Sequence, residues 1–478
     1  MTRIITRSSL LAVIGVTIIT AFLRLYHLDF NAIWIDEAAT LRFSTGSFLD
    51  IWQYTAAGEF NPPGFHWLIH AVISILGVSE WSLRFLPMVA GVCTIPAVYA
   101  AATLLSSDRR VGILVAVLTA LSPFHIFYSQ EGRAYTAMLL CYTLGLVCYL
   151  RWIKTTTPPS IHAARPLLYL AMVWFGIAVW MHFYAAVAIL PILIHLVYQH
   201  LLIAYPLDQP PHRVDRGWIY APGLFALFLI PFLTIGPSLF ARRTGMGMTW
   251  GADAVTMVTD IFVELAGFHI LFALLFFLLA AVGLTRYRDQ SSFALIPLTL
   301  VLPLVLSAIL APHMDLSVRY LIFLLPIFYT LVATGIVTVF DRIRMSNTNI
   351  LVIATLLILV ITVPTLTTYY TTDSKIDHRG AATALVEMTG DGDTVMLIPH
   401  TQSSAFTFYY NATADKTRYQ TLTFDDPIPS DTPIWLVKAE VKEALDPDTP
   451  INRWLADRSL EPCWTSTWIS IYRISEEI

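Results

Sequence analysis

Pro62-Pro63-Gly64-Phe65-His66-Trp67-Leu68-Ile69-His70-Ala71-Val72-Ile73-Ser74-Ile75-Leu76-Gly77 is the stretch on which the topology turns. It is apolar enough to enter a bilayer. It nevertheless opens on two prolines, carries two histidines and falls short of the roughly 20 apolar residues that a crossing needs. The chain around it is too apolar and too poor in charge for a soluble protein: 56% of its 478 residues are hydrophobic, 13% are charged, and the mean hydropathy is +0.65.

Apolar runs predict about eleven spans, at 9–28, 82–105, 111–129, 134–152, 166–182, 185–203, 218–238, 259–284, 293–311, 319–340 and 349–370. The first run follows Arg3 and Arg7 but is long and lacks a small-residue cleavage site, so it reads as a retained span. If Pro62–Gly77 does not cross, the basic residues sort sharply. One side holds Arg3, Arg7, Arg109, Arg110, Arg151, Lys154, Arg165, Arg213, Arg216, Arg286, Arg288, Arg342 and Arg344, and the other only Arg42, Arg133, Arg242, Arg243 and Arg319. The excess of Lys and Arg in cytoplasmic loops then puts the N-terminus inside and the C-terminal tail outside a multi-pass protein of the cell membrane. A crossing at Pro62–Gly77 would invert most of the basic loops, so this segment is expected to be a juxtamembrane or re-entrant helix.

From about 371 onward Asp, Thr and Pro become common and no run is long enough to span. Strands are expected at Thr394–Pro399, Ile434–Lys438 and Trp468–Ile474, with helices at Arg379–Met388 and Ile451–Asp457. The fold class is therefore an all-α polytopic membrane bundle with juxtamembrane helices, followed by a small α/β extracytoplasmic domain. The expected division is 1–370, with an outer loop at 31–80, and 371–478.

A net charge of -4 spread over loops and tail gives no argument for nucleic acid as a partner, and none is expected. Cys93, Cys141 and Cys148 lie in apolar runs and Cys463 in the tail, with no spacing that suggests a disulfide framework or zinc.

Three loops on the arginine-poor side carry candidate chemistry. The first contains Trp34-Ile35-Asp36-Glu37, adjacent carboxylates at a membrane surface, where ionised groups need water, a metal or a cation. The second reads Tyr128-Ser129-Gln130-Glu131-Gly132-Arg133-Ala134-Tyr135 and the third Pro312-His313-Met314-Asp315-Leu316-Ser317-Val318-Arg319-Tyr320. A guanidinium in such a place grips phosphate in a bidentate fashion, although arginines at span ends also commonly snorkel to the interface. His66, His70, His182 and His313 fall on or near the same side. A divalent metal can sit on Asp36, Glu37 and a histidine, but no ligand spacing marks one. Arg242 and Arg243 lie in a long outside loop able to cover a lipid headgroup.

These residues bear a likeness. The chain resembles GT-C superfamily glycosyltransferases of the dolichyl-phosphate-mannose protein mannosyltransferase type (family 39). The likeness lies in Trp34-Ile35-Asp36-Glu37, Asn61-Pro62-Pro63-Gly64-Phe65-His66-Trp67, Glu80-Trp81-Ser82-Leu83-Arg84, Ser129-Gln130-Glu131-Gly132-Arg133-Ala134-Tyr135 and Arg319-Tyr320. It covers the first half well and the later spans loosely. It implies a GT-C-like bundle, a sugar donor on a polyprenyl phosphate, and a lipid, glycan or protein acceptor entering from the outer side. Asp36 would be the catalytic carboxylate, with Glu37 beside it. Arg133 and Arg319, with Tyr135 and Tyr320, would bind the donor phosphate, and His66 and Arg243 would contact substrate. One base suffices for such an inverting transfer, because phosphate leaves readily as an anion. Two departures, Gly64-Phe65 after the prolines and Gly132 before Arg133, leave acceptor identity open. A secondary transporter, which also buries charges among about a dozen spans, and a non-catalytic scaffold on the same fold are the alternatives.

Overall fold

A computed structural model describes residues 6–59, 61–155, 161–204, 217–245, 252–288, 293–390, 393–410, 418–421, 434–441, 450–457 and 461–474. The chain forms two compact units. The first comprises 1–26, 43–76 and 84–367; the second comprises 27–42, 77–83 and 368–478.

The first unit is helical. Seven of its described helices are long and apolar enough to cross a bilayer: Arg7–Leu25, Glu80–Ser106, Tyr135–Thr155, Ala164–Met181, Ile270–Tyr287, Val318–Arg342 and Asn347–Thr371. Their outward faces are apolar, with Ile18, Phe22, Leu271 and Val360 all at least 64% exposed, as expected of surfaces whose solvent is lipid. Two helices approach unusually closely. A Cβ at Gly283 would meet the carbonyl of Leu331, and one at Gly335 that of Leu279. Glycine at both places lets the Ile270–Leu284 and Leu325–Arg342 helices pack backbone to backbone, the small-residue contact that membrane helices favour.

The remaining apolar runs are interrupted. The run at 111–129 is a broken span, Arg109–Leu121 and Pro123–Ser129 meeting at 60°. Proline at the first position of the second segment has no N–H to continue the ladder of the first, which explains the break. The run at 218–238 is not one span but two helices, Gly217–Leu229 and Phe232–Gly245, parted just before and at Pro231. This also makes Arg243 a helical rather than a loop residue. The run at 259–284 divides into Ala254–Leu265 and Ile270–Leu284, where Gly267 and Phe268 take positive φ (81° and 65°) and end the first helix. Pro63–Leu76 is a 14-residue helix. At 1.5 Å per residue it is about 21 Å long, short of the roughly 30 Å hydrocarbon core.

The second unit is built on a five-stranded sheet: β1 (Thr394–Ile398), β2 (Arg418–Thr421), β3 (Ile434–Ala439), β4 (Trp464–Ser466) and β5 (Ile469–Ile474), in the order β2-β1-β3-β5-β4. β1 pairs parallel with β2 and β3, and β5 antiparallel with β3 and β4. The central strands are buried on both faces, so their residues run apolar without alternating. Val395, Leu397, Trp435 and Val437 pack with Phe406 and the His378–Met388 helix. Met396, Ile398, Ile434 and Leu436 form the opposite layer. The three expected strands and two expected helices are present, and β2 and β4 are additional.

Candidate functional site

The turn that carries Arg133 owes its shape to an arginine buried in the first span. Arg24 is fully buried, where a guanidinium persists only if its donors are engaged. Its Nη1 donates to the Ala120 carbonyl and its Nη2 to that of Thr119, both at 3.1 Å. These carbonyls belong to the last turn before the break, where no helical N–H reaches them. The same guanidinium lies 2.6 Å from His125 Nδ1 and donates through Nε to Ser129 Oγ at 3.2 Å. Gln130 Nε2 completes the tie by donating to the backbone carbonyls of Arg24 (3.0 Å) and Tyr26 (2.7 Å). Both segments of the broken span, and the Gln130–Arg133 turn that comes next, are thereby fixed to the first helix.

Arg133 emerges half-buried from this turn and meets the Pro-Pro helix. Asn61, Phe65, His66, Arg133, Ala134 and His182 line one small gap. The carboxylate of Glu59 lies close by, 4% exposed. It accepts from the Asn61 backbone N–H at 3.0 Å and the Asn61 amide at 2.8 Å. Burial by itself would raise the pKa of Glu59. His66, Arg133 and Asn61 more than reverse this and hold it at about 2. His66 Nε2 is 3.8 Å from the Glu59 oxygen, beyond hydrogen-bond distance, so its contribution is electrostatic; its Nδ1 is fixed by Ser44 Oγ at 3.1 Å.

An aromatic cluster continues from there. Tyr135 is fully buried, with its ring 5.2 Å from that of Tyr128, 5.5 Å from His182 and 6.1 Å from Tyr320. His182 and Tyr184 flank Tyr320 at 4.9 and 5.5 Å. The guanidinium of Arg319 sits 5.5 Å from the Tyr135 ring centre, within cation–π range. Glu264 lies within electrostatic reach of Arg319. The structure therefore brings His66, Arg133, Tyr135, Arg319 and Tyr320 into one unit, two of them cations among aromatic rings and phenols. The side chain of Arg243 lies outside the described residues.

Asp36 and Glu37 belong to the second unit, in the first turn of the Ile35–Phe43 helix. Asp36 is half-buried and Glu37 fully buried. Glu37 Oε2 accepts from the Trp34 backbone N–H at 3.4 Å and from Lys375 Nζ at 2.8 Å. The Lys375 ammonium also lies 5.9 Å from the Trp34 ring. Further contacts tie this loop to the tail: Ile33 N–H donates to Tyr409 Oη (2.7 Å), Ser374 N–H to Asn31 Oδ1 (3.1 Å), and Arg379 Nη2 to the Asp29 carbonyl (2.8 Å). Glu80 accepts from Arg379 at 2.8 Å and from Tyr409 at 2.9 Å. Among the described residues no three His, Cys, Asp or Glu side chains group as metal ligands.

Sequence reasoning missed Arg24, Glu59, Lys375, Arg379 and Tyr409. Only Arg24 gave a signal, as an ionisable residue inside a predicted span. The others acquire their meaning from partners distant in the sequence.

The multi-pass helical bundle with a sheet-bearing second unit has the GT-C fold. Comparison with known proteins supports this class. Residues 61–235 match the family model described as dolichyl-phosphate-mannose-protein mannosyltransferase. ArnT from Cupriavidus metallidurans bound to undecaprenyl phosphate superposes with a TM-score of 0.61 at 11% identity, over 98% of this chain and 98% of that one. The oligosaccharyltransferase of Archaeoglobus fulgidus, in complex with zinc and sulfate, gives 0.53 at 11% identity over 94% of this chain and 71% of its own. The same organism's AglB, with an inhibitory peptide and a dolichol-phosphate, gives 0.55 at 13% identity over 91% and 70%. No curated protein sequence matches. The GT-C likeness read from the motifs is thus borne out by the family model and the fold, and the proteins that carry them are glycosyltransferases.

Proposed function

We propose that this protein moves a sugar from a polyprenyl-phosphate donor to an acceptor on the outer side of the cell membrane, by inversion, with Asp36 as the base. The observation that carries this is the gathering of Arg133, Arg319, Tyr135 and Tyr320 in one unit of a chain that shares its fold with a protein captured on undecaprenyl phosphate. Two guanidinium groups match the charge and the planar geometry of a phosphate, and the tyrosine hydroxyls add donors. The Asp36 carboxylate takes the proton from the acceptor hydroxyl as its oxygen attacks the anomeric carbon. The bond from that carbon to the phosphate oxygen breaks, and the electron pair leaves with the polyprenyl phosphate. Arg133 and Arg319 stabilise the charge that collects on the leaving group, where exclusion of water strengthens them. His66 lies beside Arg133 and contacts the donor. Arg243 is the second residue assigned to substrate contact. The acceptor is a lipid, a glycan or a protein segment. The arginine-rich loops face the cytoplasm, so the N-terminus is inside and the tail outside.

The test measures transfer of labelled sugar from polyprenyl-phosphate donors in membranes holding matched amounts of wild type or Asp36→Asn. Loss of about 10²–10⁴-fold in the variant is expected of a missing general base. Equal transfer by both proteins, or none by wild type from any donor, would sink the mechanism.

A further inference from the structure

The loop that carries Asp36 is tied to the C-terminal residues of its own unit. Within the second unit its fixed point is Glu37, the residue after the proposed base. Glu37 has no exposed surface, and a carboxylate so buried is tolerated only with a cation and hydrogen bonds around it. The cation is Lys375, at 2.8 Å, itself only 9% exposed. The same carboxylate accepts the Trp34 N–H at the start of the Ile35–Phe43 helix, one of the backbone donors that a helix leaves unsatisfied. One side chain thus caps the helix and locks it to the tail. Neighbouring residues in a helix diverge by about 100°, so Glu37 can be sequestered while Asp36 keeps another direction. A second tie, Tyr409 Oη to the Ile33 N–H at 2.7 Å, steadies the approach to the same turn.

The geometry points to Lys375 as a positioning residue: by holding Glu37 it sets the first turn of the Ile35–Phe43 helix, the turn that carries Asp36. Glu37, expected as one of a catalytic pair, has a holding role here. The inference rests on Asp36 being the base. Loss of the lysine removes the 2.8 Å ion pair from buried Glu37, so the turn rearranges toward water and Asp36 moves with it. A displacement on the order of 1 Å is enough to cost about 10²-fold in rate.

The experiment uses the full chain with a polyprenyl-phosphate sugar donor, comparing wild type, Lys375→Met and Lys375→Arg by steady-state transfer and by amide hydrogen exchange. Lys375→Met is expected to lower kcat about 10²-fold with donor KM little changed, because the phosphate-binding arginines are untouched. Exchange across 29–42 should rise, while exchange in Tyr135–Thr155 stays as in wild type, which excludes general unfolding. Lys375→Arg, which restores the charge, should recover most of kcat. Unchanged exchange in Lys375→Met would overturn the clamp. Raised exchange with wild-type kcat would overturn the positioning role. If wild type moves no sugar but exchange over 29–42 still rises in Lys375→Met, the proposed reaction has failed by itself and the clamp stands.

Discussion

Replacing Glu59 by glutamine tests the electrostatics of the Pro-Pro helix most directly. The ordinary glutamate value is near 4.5, and in the folded protein this group lies at about 2. A difference of roughly 2.5 pK units corresponds to about 3 kcal/mol at about 1.36 kcal/mol per unit. Burial works against this, and the attraction of His66, Arg133 and Asn61 outweighs it. Because the folded-state value is depressed, the stabilisation is complete above the unfolded value of about 4.5. It fades as pH falls toward 2 and is lost below that. Glu59→Gln keeps a carbonyl to accept from Asn61 but removes the charge. The variant should therefore be less stable than wild type at pH 7, by on the order of 3 kcal/mol. Thermal unfolding in detergent at pH 7, 4.5, 3 and 2 would measure both proteins. The gap between them should be widest at neutral pH and close steadily below 4.5. A gap that is absent at pH 7, or that does not change between 4.5 and 2, would refute the assignment.

Two further substitutions probe the site. Arg24→Met removes the donors to Thr119, Ala120 and Ser129 and the contact with His125, and should destabilise the chain by about 3–5 kcal/mol, whereas Arg24→Lys, which keeps the charge, should lose distinctly less. Melting in detergent reads both, and a wild-type profile for Arg24→Met would contradict the tie at the break. Arg133→Lys retains charge but not the planar fork, so donor KM should rise about tenfold with a steeper dependence on salt; an unaltered KM would remove Arg133 from the phosphate site.

The bundle was legible in the sequence because a bilayer imposes a length and a polarity on every crossing, and the apolar runs report both. What the runs hide is where they break. Pro123 and Pro231 interrupt two of them, yet Pro96 and Pro222 sit inside continuous helices, so proline alone does not announce an end. Gly267 and Phe268 break a third by taking positive φ. The candidate arginines could be picked out for a different reason: Arg133 and Arg319 stand out in the sequence as cations on an arginine-poor side. Their supports could not. Glu59 becomes an anion of about pKa 2 only beside His66 and Arg133. Lys375 in a polar tail looks like any solvated lysine until Glu37 is placed against it. Contacts across such separations leave no periodicity to read. The boundary near 370 marks the end of the apolar runs, but 27–42 and 77–83 fold with the C-terminal residues from 368 onward.

The pairing of Glu37 with Lys375 also bears on how the protein is made. The two residues are 338 positions apart. At about 5–20 residues per second a ribosome needs roughly 20–70 s to travel that distance. Through that interval the acidic loop waits with its counter-charge still unsynthesised, and Glu37 has every reason to stay hydrated. The Glu37–Lys375 pair can therefore form only in the last quarter of translation, once the Asn347–Thr371 helix has been synthesised. A nascent chain stalled or truncated before Lys375 would lack this ion pair.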